Sequence, residues 1–227
     1  MIEAFYSGTA GLHAHQTALD TLANNMANVN TTAYKTQNPD FEGLLGSSMM
    51  QPATPNAAAL IASAGGGVLG VQEDTAAGVL QNTDSNTDYA VDGDGYFAAR
   101  AADGTILYTR DGSFHRGADG ALLTQQGYAV LGADGTPATG KTAPGVFAFA
   151  NSAGLIPVGN NDYAAGALSG AATASAAAVR SGVLESSNVD MGAQMARLIT
   201  TQRGFQLSAS AVTTADDVES MTNDLGR

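Results

Sequence analysis

The two ends of this 227-residue chain carry apolar residues at heptad spacing, and this pattern constrains the fold more than any other feature. Near the N-terminus one line repeats every seven positions and a second line follows three positions later: Phe5, Leu12, Leu19 and Met26, then Leu22 and Val29. Gly8 and His15 fill the other positions of the second line and weaken it. Such seams are typical of helices that pack lengthwise on another helix. The segment from Ile2 to about Val29 is therefore predicted to be helical.

The C-terminal segment, from about Asn188 to Leu225, has the same pattern. Its two lines are Leu184, Met191, Leu198, Phe205 and Val212, and Met195, Gln202 and Ala209. The stretch from Ser187 to Asp190 places an acid three residues after a capping residue, which indicates a helix start. Two matched seams predict that the terminal helices pair as a coiled-coil-like bundle within an α+β fold.

The middle of the chain is punctuated by Asp-Gly dipeptides. They occur at Asp92-Gly93, Asp103-Gly104, Asp111-Gly112, Asp119-Gly120 and Asp134-Gly135. Short apolar runs ("YFAAR", "ILYTR", "ALLTQQGYAVL") lie between them. Because Asp-Gly between such runs is a strong hairpin signal, this region is predicted to be a β-meander or a small β domain.

Composition changes along the chain predict where these parts begin and end. The stretches Pro52–Gly67 and Ala164–Ala178 are of low complexity and typical of linkers. The predicted organisation is an N-terminal helix with an Asn-rich turn (1–35), an extended linker (36–70), a β-rich middle domain (71–165), a second extended segment (166–187) and a C-terminal helix (188–227).

Charge and composition exclude several classes of partner. The net charge is −12 with only 9 basic residues, so nucleic-acid binding is not expected. The chain has no cysteine, which excludes disulfides and thiolate metal sites. Its acidic start, Met1-Ile2-Glu3, does not resemble a signal peptide, and no apolar run is long enough to predict membrane insertion.

No catalytic, metal or cofactor site is predicted. His13 and His15 are two residues apart, so on a helix they point about 200° apart and cannot share a metal. The run from Asp84 to Asp88 begins like a calcium loop, but Tyr89 stands where such a loop needs glycine.

Four stretches carry a resemblance to a known family. They are "ALDTLANNMANVNTTAYK", "NTDYAVDGDGYFAAR", "YTRDGSFHRGADGALLTQQGYAVLG" and "SGVLESSNVDMGAQMARLITTQRGF". In this order they resemble the bacterial flagellar axial family, the rod and hook proteins of the basal body. The motif "NVNTTAYK" resembles the distal-rod and hook branch of the family more than the proximal-rod branch. Ala33 stands where the family usually has glycine, which predicts a different turn there.

The resemblance implies a structural subunit of a helical tube that transmits torque. Its terminal helices would pair and pack against neighbouring subunits, and a β-rich domain would face outward. Implied partners are copies of the chain, neighbouring rod and hook proteins, and the flagellar type III export apparatus, which the chain would pass through unfolded and without a cleaved signal peptide. The implied location is the flagellar basal body.

The stretch "ANNMANVNTTAYK" has four asparagines, more than a helix stop requires. A plain polar stop is one interpretation; the other is that the amides contact a neighbouring subunit. The predicted assembly interface comprises Phe5, Leu12, Leu19, Leu22, Asn24, Asn25, Met26, Asn28, Val29, Asn30, Tyr34, Asn188, Met191, Met195, Leu198, Gln202, Phe205 and Val212.

The sequence favours two other functions less. A surface adhesin or carbohydrate-binding β module with helical oligomerisation ends would need an aromatic platform, but Trp is absent and the tyrosines are scattered. An enzyme would need convergent titratable groups, and none is visible in the sequence. Because two lone helices form only a thin bundle, the termini are also predicted to be poorly ordered in the monomer and to order on assembly.

Overall fold

The computed structural model describes residues 2–44, 65–139 and 142–225. They form two compact units, and each unit is assembled from segments that are far apart in the sequence. The first unit draws on Met1–Ala27, Gln37–Glu73 and Asp190–Arg227, and the second on Asn28–Thr36 and Asp74–Val189.

The first unit is a pair of long helices with a two-stranded ladder. Helix α1 is Ile2–Ala27 and helix α2 is Met191–Leu225. Strands β1 (Gln37–Leu44) and β2 (Gly65–Glu73) pair antiparallel and pack on α1. The two helices pack against each other. The α+β class and the pairing of the terminal helices are thus confirmed.

The region 36–70 was predicted to be an extended linker, but both of its ends lie in paired β-strands. Strands β1 and β2 are in register from Gln37 opposite Glu73 to Leu44 opposite Gly65, with an irregularity between Asp40 and Phe41. Backbone hydrogen bonds rather than side-chain alternation define this ladder, so the sequence gives no period-two signal for it. Residues 45–64, the centre of the predicted linker, lie outside the described residues.

Helix α2 begins three residues later than the sequence predicted. The carboxylate Oδ1 of Asp190 accepts hydrogen bonds from the backbone N–H groups of Gly192 (2.9 Å) and Ala193 (3.2 Å). Asp190 is therefore the N-cap residue, and the capping box predicted from Ser187 to Asp190 is wrong. The hydroxyl of Ser187, the predicted cap residue, instead accepts the backbone N–H of Val189 (3.3 Å) before the helix begins, and the carboxylate of Asp190 takes the capping position.

The second unit is built from short strands. They are β3 (Leu80–Asn82), β4 (Tyr89–Asp92), β5 (Tyr96–Arg100), β6 (Ile106–Thr109), β7 (His115–Arg116), β8 (Leu122–Leu123), β9 (Ala129–Val130), β10 (Val146–Ala148), β11 (Ile156–Gly159), β12 (Asp162–Ala164), β13 (Thr173–Ala174), β14 (Ala178–Ser181) and β15 (Val183–Glu185). Among the described residues, nine strands form one sheet in the order β11-β12-β6-β5-β9-β8-β7, with β10 beside β5 and β13 beside β10. The pairs β4–β14 and β3–β15 form separate ladders, and every pair in this unit is antiparallel.

Strand β5 lies at the centre of this unit because both of its faces are buried. Phe97 belongs to one apolar cluster, and Tyr96 and Ala98 belong to another on the opposite face. The first cluster also contains Tyr89, Val91, Phe114, Leu122, Val130, Ala138 and Val146, and the second also contains Tyr108, Leu131 and Leu155. Successive side chains of β5 point to opposite faces of the sheet, so this strand contributes to both apolar clusters.

The Asp-Gly dipeptides predicted hairpins correctly at two places. Asp103-Gly104 joins β5 to β6, and Asp119-Gly120 joins β7 to β8. Gly104 has a φ of 88°, which glycine adopts at little cost. Gly112 is required for close packing of the backbone, because a Cβ at that position would lie 1.5 Å from the carbonyl oxygen of Tyr89.

The second predicted linker, 166–187, also contains paired strands. Strand β14 pairs with β4 from Ala178 opposite Asp92 to Ser181 opposite Tyr89. Strand β15 pairs with β3. The Ala-rich composition hid these strands, because their partners lie about a hundred residues earlier in the chain.

Candidate assembly interface

The two helices of the first unit run antiparallel in a constant register. Moving forward along α1, each contact is matched, to within one residue, by an equal step backward along α2. The contacts are Gly8 with Val212, Gly11 with Ser208, His15 with Gly204, and Asn25 with Gln194.

Small residues bring the helices close together along this line. A Cβ on Gly8 would lie 2.7 Å from Cγ2 of Val212, and one on Gly204 would lie 2.5 Å from Cε1 of His15. Gly8 and His15, which the sequence interpretation treated as weak points of the seam, are therefore its contact residues. The prediction was wrong because heptad counting favours large apolar residues, whereas close helices require small ones.

The predicted first line on α1 flanks the contact instead of forming it. Phe5 is 47% exposed, and Leu12, Leu19 and Met26 are half-buried. Leu22, from the predicted second line, is buried. On α1 the side occupied by the small residues thus faces α2, and the large residues lie beside it.

On α2 one predicted line is supported and the other is corrected. Met191, Leu198, Phe205 and Val212 are half-buried, as expected for a packed line. Leu184, the first residue of the predicted line, lies in β15 and does not belong to the helix. The second covered line is Gln194, Thr201, Ser208 and Ala215. It replaces Met195, which is 50% exposed, and Gln202, which is exposed. The predicted second line lies four residues after each residue of the first line, whereas the covered line lies three residues after it. The covered line was not predicted because Gln194, Thr201 and Ser208 are polar and do not appear in an apolar pattern.

Asn25 is completely buried at the end of α1. Its Oδ1 accepts the N–H of Gln37 (2.9 Å), and its Nδ2 donates to the carbonyl of Gln37 (2.7 Å) and to Oε1 of Gln194 (3.2 Å). This one amide joins α1, β1 and the start of α2. The prediction that Asn25 contacts a neighbouring subunit is therefore corrected, because its hydrogen bonds lie within the chain. Asn24 is exposed and donates to Oε1 of Gln37 (3.3 Å).

The rest of the Asn-rich turn belongs to the second unit. Asn28 accepts a hydrogen bond from Oγ1 of Thr31 (3.1 Å), Val29 is half-buried, and Asn30 is exposed. Tyr34 is buried. Ala33 has a φ of 55°, so the backbone takes the left-handed conformation that favours glycine in spite of the Cβ.

Asn188 braces this turn within the second unit. Its Oδ1 accepts the backbone N–H of Thr36 (2.7 Å) and the hydroxyl of Thr36 (2.8 Å). Its Nδ2 donates to the carbonyls of Asp74 (2.9 Å) and Ala76 (3.1 Å). Asn188 and Tyr34 are therefore internal contacts rather than the predicted assembly contacts.

Three charged side chains meet inside the second unit. Oε1 of Glu185 accepts from Nζ of Lys35 (2.6 Å), and Oε2 accepts from Nη1 of Arg110 (3.3 Å). All three residues are at most 6% exposed. Oε1 also accepts the N–H of Gly78 (2.8 Å). This buried cluster was missed from the sequence, because its members are separated by 75 and 150 residues.

Each cation of the cluster has a further partner. Nζ of Lys35 donates to the carbonyl of Ala76 (2.8 Å) and Nη2 of Arg110 donates to the carbonyl of Gly93 (2.8 Å). The guanidinium of Arg110 lies 5.4 Å from the centre of the Tyr96 ring. Hydrogen bonds and a cation–π contact thus offset the cost of burying these charges.

The outer faces of the two helices carry exposed apolar residues. They are Phe5 and Tyr6 on α1, and Met195, Ile199, Leu207, Val218 and Met221 on α2. Met195, Ile199 and Leu207 fall at spacings of four and eight residues, so they form a stripe along one side of α2.

Small polar depressions lie on the described part of the second unit. One contains Asp162, whose pKa is raised to about 6 by burial, partly offset by a hydrogen bond from Thr109 and increased by the nearby Asp111 charge. Another has a volume of about 190 Å³ and is lined in part by Asp94, Tyr96 and Arg110. Among the described residues, no group of three or more His, Asp or Glu side chains is placed to hold a metal ion.

No helix in the described part of the chain combines the length and apolar character needed to cross a bilayer.

Comparison with known proteins assigns a family to three parts of the chain. The family model described as flagella basal body rod protein matches residues 5–35, and the flagellar hook protein FlgE/F/G D1 domain matches residues 90–156. The flagellar basal body rod FlgEFG protein C-terminal model matches residues 180–225. Lys35, Arg110 and Glu185 each lie in a different one of these three segments.

Full-length relatives decide the assignment. The flagellar basal-body rod protein FlgG of Bacillus subtilis is 33% identical over 258 aligned positions that cover 96% of this chain and 97% of the relative. The chain belongs to the flagellar basal-body rod protein family. The FlgG proteins of Agrobacterium fabrum (33% identical, 98% of both chains) and Borreliella burgdorferi (30%, 100% of both) are also similar to it.

This member of the rod family is also related to a hook protein. The flagellar hook protein FlgE of Helicobacter mustelae is 36% identical over 148 positions, which cover 58% of this chain and 31% of the hook protein. The resemblance to rod and hook proteins predicted from the four sequence stretches is thereby confirmed.

Proposed function

We propose that this rod-family chain is a structural subunit of the flagellar basal body and that it catalyses no reaction. Subunits associate through the outer faces of α1 and α2, and head-to-tail contacts that do not close into a ring grow into an open helical tube. The tube transmits torque, and neighbours of the subunit are its own copies and adjacent rod and hook proteins.

The observation that carries this proposal is the row of uncovered apolar residues on a narrow pair of helices. Leu207 is 72% exposed and Tyr6 is 66% exposed, although both lie in helices that already pack on one another. Several large apolar side chains left exposed on the same elements favour contact sites with other proteins. Because both helices have such residues, we expect both to contact neighbouring subunits.

The interface predicted from the sequence is accordingly redrawn. Phe5 and Met195 remain in the proposed interface because they are exposed, and Tyr6, Ile199, Leu207, Val218 and Met221 join it. Asn25 and Asn188 are not part of the proposed interface, because their side chains form hydrogen bonds within the chain. Asn30 and Gln202 are exposed polar residues that lie at its proposed rim. Asn24 is exposed as well and is bonded to Gln37 within the chain.

Delivery to the flagellum is proposed to occur through the export apparatus, with the chain unfolded and without cleavage of a signal peptide. The family relationship and the absence of cysteine support this route.

Assembly is tested with two leucine variants that differ only in location. Purified chains are raised in concentration and followed by sedimentation and electron microscopy. The wild type is expected to form tubes or filaments. Leu207→Ala is expected to raise the concentration at which they appear, whereas Leu168→Ala, which removes a 79% exposed leucine from the second unit, is not. A wild-type chain that stays monodisperse at every concentration contradicts the proposal.

A further inference from the structure

Helix α2 carries its charges in two separate groups. Its basic residues, Arg197 and Arg203, lie in the first half. Its acidic residues, Asp216, Asp217, Glu219 and Asp224, lie in the last ten positions of the helix, and all four are exposed. The helix therefore has a basic half and an acidic end.

The acidic end is in an unfavourable position within a single subunit. The C-terminus of a helix carries a partial negative charge, which cations stabilise and carboxylates do not. Helix α2 has no basic residue in its last turn. Asp216 and Glu219 are also three residues apart, where like charges repel. No ion pair to any of these carboxylates is found in the described ranges. A cationic partner from outside the subunit would relieve this arrangement.

The same end of α2 extends beyond α1. Since Gly8 lies opposite Val212, the first residue of α1, Ile2, falls opposite about residue 218 in an antiparallel pair. About two turns of α2 therefore have no α1 alongside. Met221 (62% exposed) lies on this extension, and Val218 (43% exposed) lies where the extension begins. It presents apolar and acidic side chains together.

The basic half of α2 presents the complementary surface. Met195, Ile199, Arg203 and Leu207 are spaced by four residues and are all exposed, so they lie along one side of the helix. Asp217 and Met221 have the same spacing at the acidic end. Each surface thus combines apolar residues with a charge, and the two charges have opposite sign.

We propose that the acidic end of α2 in one copy docks on the stripe Met195–Leu207 of α2 in the next copy, with Asp217 facing Arg203. This inference rests on the proposed function, because it names the contact through which copies follow one another along the tube. A second copy is the occupant because the chain itself supplies both complementary surfaces. As copies in a tube share one polarity, facing residues 203 and 217 displace successive copies by about 21 Å along the helix axis.

Charge reversal tests this contact with two variants that should fail alone and succeed together. Arg203→Glu and Asp217→Arg each place like charges at the contact, so each is expected to raise the concentration needed for assembly at least tenfold. An equimolar mixture of the two is expected to assemble again. In alternating order, the carboxylate introduced by Arg203→Glu faces the guanidinium introduced by Asp217→Arg, and the next contact keeps the native pair. The variant carrying both changes is expected to assemble by itself.

The controls separate this inference from the proposed function. Arg116→Glu makes the same change of charge in the second unit and is expected to leave assembly unchanged; circular dichroism checks that every variant keeps its helix content. If the wild type assembles and Arg203→Glu assembles equally well, or if the mixture and the double variant do not recover, the proposed contact is wrong while the subunit function stands. If the wild type itself does not assemble, both are overturned.

Discussion

At the scale of single residues, the buried cluster of Lys35, Arg110 and Glu185 is the feature with the largest energetic consequence. It holds two cations and one anion, so Glu185 is, among the described residues, the counter-charge for both. A buried ion pair adds little compared with an apolar replacement, but removing one partner leaves an uncompensated charge and is costly.

Replacing Glu185 by Gln is therefore expected to destabilise the second unit by about 3–5 kcal/mol, because Lys35 and Arg110 remain buried without their counter-charge. Urea unfolding followed by tyrosine fluorescence measures this, since six of the seven tyrosines lie in the second unit. The control is Asp92→Asn, which breaks the exposed pair between Asp92 and Arg180 (2.6 Å) and should cost under about 1 kcal/mol. Equal small losses in both variants contradict the role assigned to the cluster.

Asp162 gives a second prediction at this scale, concerning pH. Its pKa is raised from 3.8 to about 6, so the folded state holds the proton more tightly than the unfolded chain does. Ionisation of Asp162 therefore lowers stability as the pH rises from about 4 to about 6, and the loss persists above that range. Asp162→Asn removes it, so its Tm should exceed that of the wild type near pH 7.5 and should match it near pH 4.

Asp103 is the control with the opposite sign. A hydrogen bond from the backbone N–H of Thr105 lowers the pKa of the exposed Asp103 carboxyl. Its contribution to stability is present above the ordinary pKa and is lost on acidification. Asp103→Asn should therefore not raise the Tm near pH 7.5. A Tm for Asp162→Asn that is no higher than that of the wild type at this pH would contradict the assignment of Asp162.

At the scale of secondary-structure elements, Asn25 joins three of them. Asn25→Ala leaves Gln37 and Gln194 without their buried partners, and the expected loss for the helical unit is about 1–3 kcal/mol. Asn24→Ala, one position earlier and exposed, should change stability by less than about 0.5 kcal/mol. Thermal unfolding followed by helical circular dichroism distinguishes the two variants. A similar melting temperature for both would show that the Asn25 amide is not the joint described here.

The elements also show what the sequence could predict. Heptad spacing found both helices, and Asp103-Gly104 and Asp119-Gly120 found hairpins, because these signals act over a few neighbouring residues. The face of each helix was harder to predict. The contact line contains Gly8, Gly11, Gln194 and Ser208, whose small or polar side chains have no place in an apolar pattern. Strand β1 includes Pro39 and acquires its partner only through β2, beyond the reach of any local signal.

The predicted interface was limited for the same reason. Phe5 and Met195 are apolar residues that the chain leaves exposed, so they stay in the proposed interface. Asn25, Tyr34 and Asn188 were assigned to neighbours, but their partners lie elsewhere in the same chain. From sequence alone, a buried amide that binds its own chain cannot be distinguished from one that binds another copy.

At the scale of the whole molecule, the two units are expected to differ in stability. The helical unit is thin and keeps large apolar residues exposed, whereas β5 of the second unit is buried on both faces. Hydrogen exchange of dilute monomer should therefore show weak amide protection across residues 5–29 and strong protection in β5. Protection of the helices should rise on assembly, as their outer faces are covered. Strong protection of residues 5–29 in dilute monomer would contradict this.

The pairing of Asn25 with Gln194, and of Lys35 with Glu185, sets an order of events for a newly made chain. Neither unit can be completed until almost the whole chain is free, because each unit contains segments from both the N-terminal and the C-terminal part of the sequence. A polypeptide that passes through a narrow export channel would therefore stay unfolded during its passage. It would complete both units only after leaving the channel.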